Sequence, residues 1–179
     1  MLANITIKNR LTISCVVAMV GLLALAIIGL VNIASINEEI QIVTTDRLPK
    51  VIWTHEIVDQ INVNARVLRN IVLLTDQAEI QKELNRLGET KKIVDERIQK
   101  LEQASTASEE RLLLSQFNDA RKKYFEVRDE YLALAKAGLK EKAIPMLFNQ
   151  LRVAQNDYFE MGQKLVAYEQ NAISTASLG

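Results

Sequence analysis

The chain has 179 residues, with 22 basic and 22 acidic side chains and a formal net charge of zero, so no basic field is available to attract nucleic acid. It contains only six glycines and two prolines, which favours long helices over a turn-rich β fold. One cysteine and one histidine exclude an internal disulfide and a His/Cys metal cluster.

The first predicted element is an apolar helix. Residues 11–31 carry no charged side chain, and at about 1.5 Å of rise per residue they are long enough for a ~30 Å hydrocarbon core. Lys8 and Arg10 precede this segment and two glutamates follow it, so the positive-inside rule predicts that residues 1–10 are cytoplasmic. The alternative is a cleaved signal peptide, but the apolar cores of such peptides are roughly 7–15 residues long. We therefore predict an uncleaved transmembrane helix over residues 11–31.

Four further segments show helical periodicity and are separated by short turns. The predicted helices cover residues 33–75, 78–103, 109–136 and 140–172. Pro49 predicts a kink in the first of them, Gly138 predicts the end of the third, and Pro145 lies near the start of the fourth. Short connections force antiparallel neighbours, so the sequence predicts an all-α, up-down-up-down four-helix bundle over residues 32–175.

Polar residues interrupt the apolar stripes of these helices. On the third helix Arg121, Tyr124 and Arg128 share one face, and two overlapping stripes there compete for the interior. The other helices also carry polar residues on or beside their stripes: Arg66 and Arg69 on the first, Thr90 and Lys91 on the second, and Tyr158 on the fourth. Counted from the two turns near Asp76 and Gly138, these residues lie roughly 15–30 Å from the same end of the bundle.

Arginines held close together repel one another unless an anion joins them, and carboxylates match the guanidinium fork. One hypothesis is therefore a pocket for a small organic anion with two or more carboxylates, contacted by these eight residues. The alternative is that the arginines and Lys91 are solvated, or pair with acids such as Glu126 and Asp129, while Tyr124 and Tyr158 are core residues.

The order of motifs resembles the periplasmic four-helix-bundle sensor domain of bacterial methyl-accepting chemotaxis proteins, as in the aspartate receptor. The residues that carry the resemblance are Asn9-Arg10-Leu11, Arg47-Leu48-Pro49, Lys136-Ala137-Gly138 and Glu141-Lys142-Ala143. The resemblance implies a homodimer formed through the first helix, a fourth helix that slides slightly on signalling, and a location in the bacterial inner membrane. It also implies that a second transmembrane helix, a HAMP linker and a cytoplasmic signalling region follow in a longer protein.

Within that family, the group formed by Arg121, Tyr124, Arg128, Thr90 and Tyr158 resembles receptors that sense citrate and C4-dicarboxylates such as malate. The predicted function is therefore a chemoreceptor sensor domain, with no catalytic residues, metal or cofactor and no nucleic-acid partner. Two alternatives stay open. The same kind of bundle serves sensor histidine kinases and cyclic-dinucleotide enzymes, and a structural helical bundle without a ligand has the same periodicity.

Overall fold

The computed structural model describes residues 7–176, and these residues form helices and no strand. The helices are α1 (Ile7–Ile42), α2 (Leu48–Leu73), α3 (Gln77–Ala104), α4 (Ser108–Lys136), α5 (Lys140–Met146) and α6 (Arg152–Ala176). Two π-helical segments interrupt the α-helical geometry, Val43–Arg47 before α2 and Leu147–Leu151 between α5 and α6. The chain divides into two compact units, Met1–Val43 and Thr44–Gly179.

The first unit consists, in its described part, of the apolar helix α1. Large aliphatic side chains are exposed along the apolar stretch, for example Leu11 at 69% and Val31 at 62%. Among the described residues this is the one helix long and apolar enough to cross a membrane. The predicted span of residues 11–31 therefore lies within a single helix.

The second unit is a four-helix bundle made by α2, α3, α4 and a fourth helix formed by α5, the π-helical segment Leu147–Leu151 and α6. Close backbone approaches join α2 to α3, α4 to α6 and α2 to α6. The starts of α2 and α4 meet through Lys50 and Glu110, while their ends meet through a hydrogen bond from Tyr131 to the Leu68 carbonyl. These contacts make α2 and α4 parallel, and the short turns make each antiparallel to the helix that follows it, which confirms the predicted bundle fold.

Two of the predicted turns have recognisable chemistry. The Asp76 carboxylate caps α3 by accepting hydrogen bonds from the backbone N–H groups of Ala78 and Glu79, at 2.7 and 3.2 Å. Gly138 ends α4 with a φ of 72°, a left-handed conformation that costs glycine little. The prediction that Gly138 ends the third helix is confirmed.

The sequence was less accurate about prolines and seams. Pro145 lies inside α5, beyond the first turn where proline is tolerated best, and the π-helical segment follows directly. Lys91, which the predicted stripe placed in the seam of the second helix, is exposed, and Thr90 is buried in its place. Thr90 fits between Leu87 and Val94 at steps of three and four, so the seam passes through it without a break.

Small and aromatic side chains set the spacing of the core. Gly162 on α6 faces α2 so closely that an added Cβ would lie 3.0 Å from Cγ2 of Val58. Phe117, Tyr124, Tyr131 and Tyr158 are almost completely buried and fill the interior between α4 and the other helices. The bundle thus has a closely packed aromatic core, and charged side chains of α3 and α4 lie nearer the surface.

Candidate functional site

The first group of predicted site residues meets on Asp95, a carboxylate on α3. Asp95 accepts hydrogen bonds from Nη2 of Arg121 on α4 and from Nζ of Lys91, the latter at 2.6 Å. Burial by itself would raise the pKa of Asp95, but the hydrogen bonds from Lys91 and Arg121 outweigh it and hold that pKa below its ordinary value. Asp95 is therefore a charged link between α3 and α4, and its contribution to stability is lost as the pH falls through its lowered pKa.

Arg121 and Arg128 share Phe125 as a neighbour on α4. Their guanidinium carbons lie 5.0 and 4.1 Å from the centroid of the Phe125 ring, within the range of cation–π attraction. Arg128 also donates two hydrogen bonds to Oδ1 of Asp129, at 2.6 Å from Nη2 and 3.0 Å from Nε. Each of these two arginines is thus held by a ring and by a carboxylate.

The two predicted tyrosines lie directly beneath these arginines in the core. The rings of Tyr124 and Tyr158 stack with centroids 5.4 Å apart, and Tyr158 also contacts Phe117 at 4.9 Å. Burial raises the pKa of both hydroxyls strongly, and for Tyr158 the nearby Arg121 guanidinium opposes part of that rise. Within the described part of the chain the Tyr124 hydroxyl has no hydrogen-bond partner. Both tyrosines pack as core residues.

Thr90 joins α3 to α2, whereas Arg121 and Lys91 line a groove between α3 and α4. Its hydroxyl is buried against the side-chain oxygen of Asn64 and also lies 2.9 Å from the carbonyl of Leu87 in its own helix. A polar pair of this kind, closed inside an apolar seam, fixes the register of two helices. The hydroxyl of Thr90 is therefore used in packing between α2 and α3.

The groove between α3 and α4 has a volume of about 560 Å³ and a balanced charge. Three basic and three acidic side chains line it, together with Asn118 and Phe125: Lys91, Arg121, Lys122, Asp95, Glu126 and Asp129. An anion entering this groove has to compete with carboxylates that already neutralise the arginines. The lining is therefore balanced in charge, although Nε of Arg121 has no hydrogen-bond partner among the described residues.

Arg66 and Arg69 lie elsewhere, exposed on α2. Arg69 donates from Nε to the carbonyl of Ala65 at 3.1 Å and lines a groove of about 370 Å³ between α2 and the fourth helix. The other lining residues are Asn62, Ala65, Leu147, Phe148, Arg152, Gln155 and Asn156. Arg66 is not among them. The eight predicted residues therefore do not form one cluster in the described chain, because Arg69 lines a different groove from Arg121 and Lys91.

The second groove contains a residue that sequence reasoning missed. Arg152 follows the π-helical segment, and with Phe148 and Gln155 it forms an i, i+4, i+7 row facing α2. The signal available in the sequence was a second, polar face beside the apolar stripe, with Arg152, Gln155 and Asn156 close together. Helical periodicity in the sequence identifies this polar face of the fourth helix, but it does not show which neighbouring helix the face packs against.

Comparison with known proteins agrees with this architecture. The sequence profile of a family described as "four helix bundle sensory module for signal transduction" matches residues 4–177, nearly the whole chain. No curated protein sequence matches the chain. The family is a sensory signalling module and is not an enzymatic one, and the resemblance seen in the sequence is confirmed. The chain belongs to the family of four-helix-bundle sensory modules for signal transduction.

Proposed function

We propose that this sensory module is the extracytoplasmic ligand-binding domain of a transmembrane chemoreceptor, and that it binds a small organic anion with two or more carboxylates. The observation that carries the ligand class is the groove between α2 and the fourth helix. It brings Arg69 and Arg152, from different helices, to one opening of about 370 Å³, and its described lining contains amides but no carboxylate. Guanidinium forks with neighbouring amides are the side chains that bind carboxylates best.

Charge balance favours this groove over the one between α3 and α4. Arg121 and Arg128 already pair with Asp95 and Asp129. An anion that binds these arginines has to displace those carboxylates, which reduces its net binding free energy. Arg69 and Arg152 share a groove without such an acid, and an incoming dicarboxylate would supply the missing negative charge. The sequence-based assignment of Arg121, Tyr124, Arg128, Thr90, Tyr158 and Lys91 stays a prediction, and it defines the rival site.

Binding at this place would couple ligand to helix position. An anion held by Arg69 of α2 and Arg152 of α6 stabilises the arrangement in which both guanidiniums reach it, and so shifts the population towards that arrangement. The differential affinity of the ligand for the two arrangements sets the size of the response. A homodimer through the exposed face of α2 would place a second copy of Arg66 and Arg69 beside the first, which adds positive charge to the site.

The charges on either side of the apolar segment of α1 support an orientation for the module. Lys8 and Arg10 precede the apolar segment, and Glu38 and Glu39 follow it, which favours a cytoplasmic N-terminus and an extracytoplasmic bundle. The bundle then meets dissolved metabolites outside the cytoplasm, in agreement with a chemotactic input in the inner membrane.

Calorimetric titration of the full chain in lipid nanodiscs, with citrate and malate as probes, tests the proposal. We expect Arg69→Ala and Arg152→Ala each to weaken binding by at least about tenfold, because each removes a charge-assisted hydrogen bond worth roughly 1.5–3 kcal/mol. Arg86→Ala is the matched control, since Arg86 is an exposed arginine of α3 that lines neither groove. It should bind as the wild type does.

Two results would contradict the proposal in different ways. If Arg121→Ala and Arg128→Ala abolish binding while Arg69→Ala and Arg152→Ala do not, the ligand sits between α3 and α4. If the wild type binds neither probe, the polycarboxylate assignment is wrong and the sensory module responds to another class of signal.

A further inference from the structure

A second cluster of charged residues is buried inside the bundle, at the end where α2 and α4 begin and α6 approaches its end. Lys50 of α2, Glu110 of α4 and Glu169 of α6 have exposed fractions of only 4%, 3% and 2%. Burying an ionised side chain is costly unless it is paired and hydrogen-bonded. Each of these three residues, when ionised, therefore needs a neighbouring group that compensates its charge.

Glu110 contacts a lysine on α2 and a serine in the turn before α4. Nζ of Lys50 lies 3.3 Å from its Oε1, and the Ser105 hydroxyl oxygen lies 2.6 Å from the same oxygen and 2.6 Å from the Leu101 carbonyl oxygen. Lys50 also pairs with the carboxylate of Asp46, at 3.2 Å. Lys50 thus already forms ion pairs with two carboxylates, one of them buried, and its single positive charge does not compensate a third.

Glu169 is that third acid. Its Oε1 has no hydrogen-bond partner among the described residues, and its carboxyl faces Glu110 closely enough to share a hydrogen bond when one of the two holds a proton. Burial, followed by the charge of Glu110, raises the pKa of Glu169 to about 7. Lys50 opposes this rise and Asp46 adds to it. Two facing carboxyls with one available proton behave as a coupled pair.

The remaining charged groups near this end come from every neighbouring element. Arg47 precedes α2, Glu109 lies beside Glu110 at the start of α4, and both act on Tyr168, the residue before Glu169. From α2, His55 lies 3.1 Å from Gln170 on the exposed side of α6. Arg111 donates to the Ser105 carbonyl at 3.1 Å and holds the loop after α3. In the described part of the chain, none of the contacts of these groups gives Glu169 a second cation.

We infer that Glu169 is a proton-controlled contact that fastens the end of α6 to α2 and α4. With a proton it is neutral and donates to Glu110; without one it is a buried anion facing Glu110 and Asp46, and the end of α6 loosens. The inference is independent of the anion groove, which involves other residues. It makes the bundle responsive to external pH near neutrality.

The direction of the effect follows from linkage. The folded state binds this proton more tightly than the unfolded state does, because the pKa of Glu169 is higher when folded. The stabilisation is therefore complete below the ordinary glutamate pKa of 4.5, and it is lost as the pH rises from there to about 7 and beyond. Between pH 6 and pH 8 the protein continues to lose protection at α6 while an unfolded glutamate no longer titrates.

Backbone hydrogen–deuterium exchange of the full chain in lipid nanodiscs tests this inference. After correction for the intrinsic exchange rate, we expect the amides around Glu169 to lose about tenfold in protection between pH 6 and pH 8, as follows from a group that titrates near 7. Glu169→Gln, which cannot ionise, should show the same protection at both pH values. Glu160→Gln is the matched control, because Glu160 lies on the same helix in solvent and pairs with Lys164 at 2.8 Å.

Two more variants separate this mechanism from a structural defect. Glu110→Gln removes the repelling carboxylate and leaves Lys50 free to pair with Glu169, so the loss of protection should move to lower pH. His55→Gln removes the nearby imidazole and should leave the wild-type response intact. The inference is overturned if wild-type protection at α6 does not change between pH 6 and pH 8, or if Glu169→Gln retains the change.

Discussion

At the residue scale, the environment of two tyrosine hydroxyls differs although both rings are buried. Tyr131 donates to the carbonyl of Leu68 at 2.7 Å, which ties the ends of α4 and α2 together. Tyr124 is equally buried, yet its hydroxyl has no partner in the described part of the chain. Burial raises the pKa of Tyr131 to about 12, so neither tyrosine ionises near neutral pH. The same side chain therefore stabilises the bundle at one position and carries an unsatisfied polar atom at the other.

Phenylalanine substitution should separate these two cases. Tyr131→Phe is expected to lower the free energy of unfolding by about 1 kcal/mol, because it removes one buried hydrogen bond. Tyr124→Phe should leave that free energy unchanged or raise it by up to ~1 kcal/mol, because it removes a polar atom without a partner. Urea denaturation followed by circular dichroism measures both. Equal losses in the two variants would show that Tyr124 has a partner.

At the element scale, the turn after α4 is built around one glycine. Gly138 adopts a φ of 72°, and the Leu139 N–H reaches the Leu134 carbonyl at 3.0 Å while the Gly138 N–H reaches Ala135 at 3.1 Å. This is the hydrogen-bond pattern of a Schellman motif, which satisfies carbonyls that the helix leaves free. Only the backbone conformation constrains this position, since an added Cβ would meet nothing within 4 Å.

Substitution of Gly138 should therefore reveal backbone strain without steric overlap. Gly138→Ala is expected to destabilise the bundle by about 1–2 kcal/mol, the cost of a left-handed conformation for an L-residue with a side chain. Gly138→Asn should cost less, since asparagine tolerates this region better. Thermal unfolding of the two variants under identical conditions compares them. Equal melting temperatures for the alanine variant and the wild type would contradict the role of the turn.

The fourth helix shows how a local irregularity changes what a face can do. Pro145 has no N–H to donate, and the chain passes from α5 through the π-helical segment Leu147–Leu151 into α6. The extra residue in such a turn rotates the following helix relative to a constant pitch. Arg152 consequently faces α2 and shares a groove with Arg69.

At the scale of the whole molecule, the core belongs to one unit. Every buried core residue lies between Ile57 and Leu165, within the unit Thr44–Gly179. The described part of the other unit exposes its apolar side chains. The bundle therefore contains the residues needed for its own hydrophobic core.

We expect residues 44–179 to fold without detergent into a helical domain. The core is retained and the apolar helix α1, which would drive aggregation in water, is removed. Circular dichroism should show a helical spectrum and one cooperative thermal transition, whereas the full chain should require lipid or detergent to stay in solution. A non-cooperative melt or loss of helix would show that the bundle depends on the first unit.

Much of this architecture is contained in the sequence itself. Helix periodicity and the terminators near Asp76 and Gly138 predict four bundle helices in order, and the uncharged stretch of residues 11–31 predicts the apolar helix. In the structure, residues 33–42 of the first predicted bundle helix belong to α1, and the fourth contains a π-helical segment. These signals are local, because helical pitch and backbone conformation depend on residues a few positions apart. That is why each helix end at α3 and α4 differs from the prediction by at most one residue.

Tertiary structure decided which helix faces meet. Thr90 and Lys91 are adjacent in the sequence. Thr90 is buried because its face of α3 packs against α2, while Lys91 lies on a face that remains exposed. Likewise, the sequence contained the arginines but did not show their surroundings: Asp95 of α3 pairs with Arg121 of α4, and Arg69 of α2 shares a groove with Arg152 of α6. The buried group of Lys50, Glu110 and Glu169 joins residues more than fifty positions apart. Such contacts depend on helix rotation and on charge compensation between chain-distant residues, which no local pattern encodes.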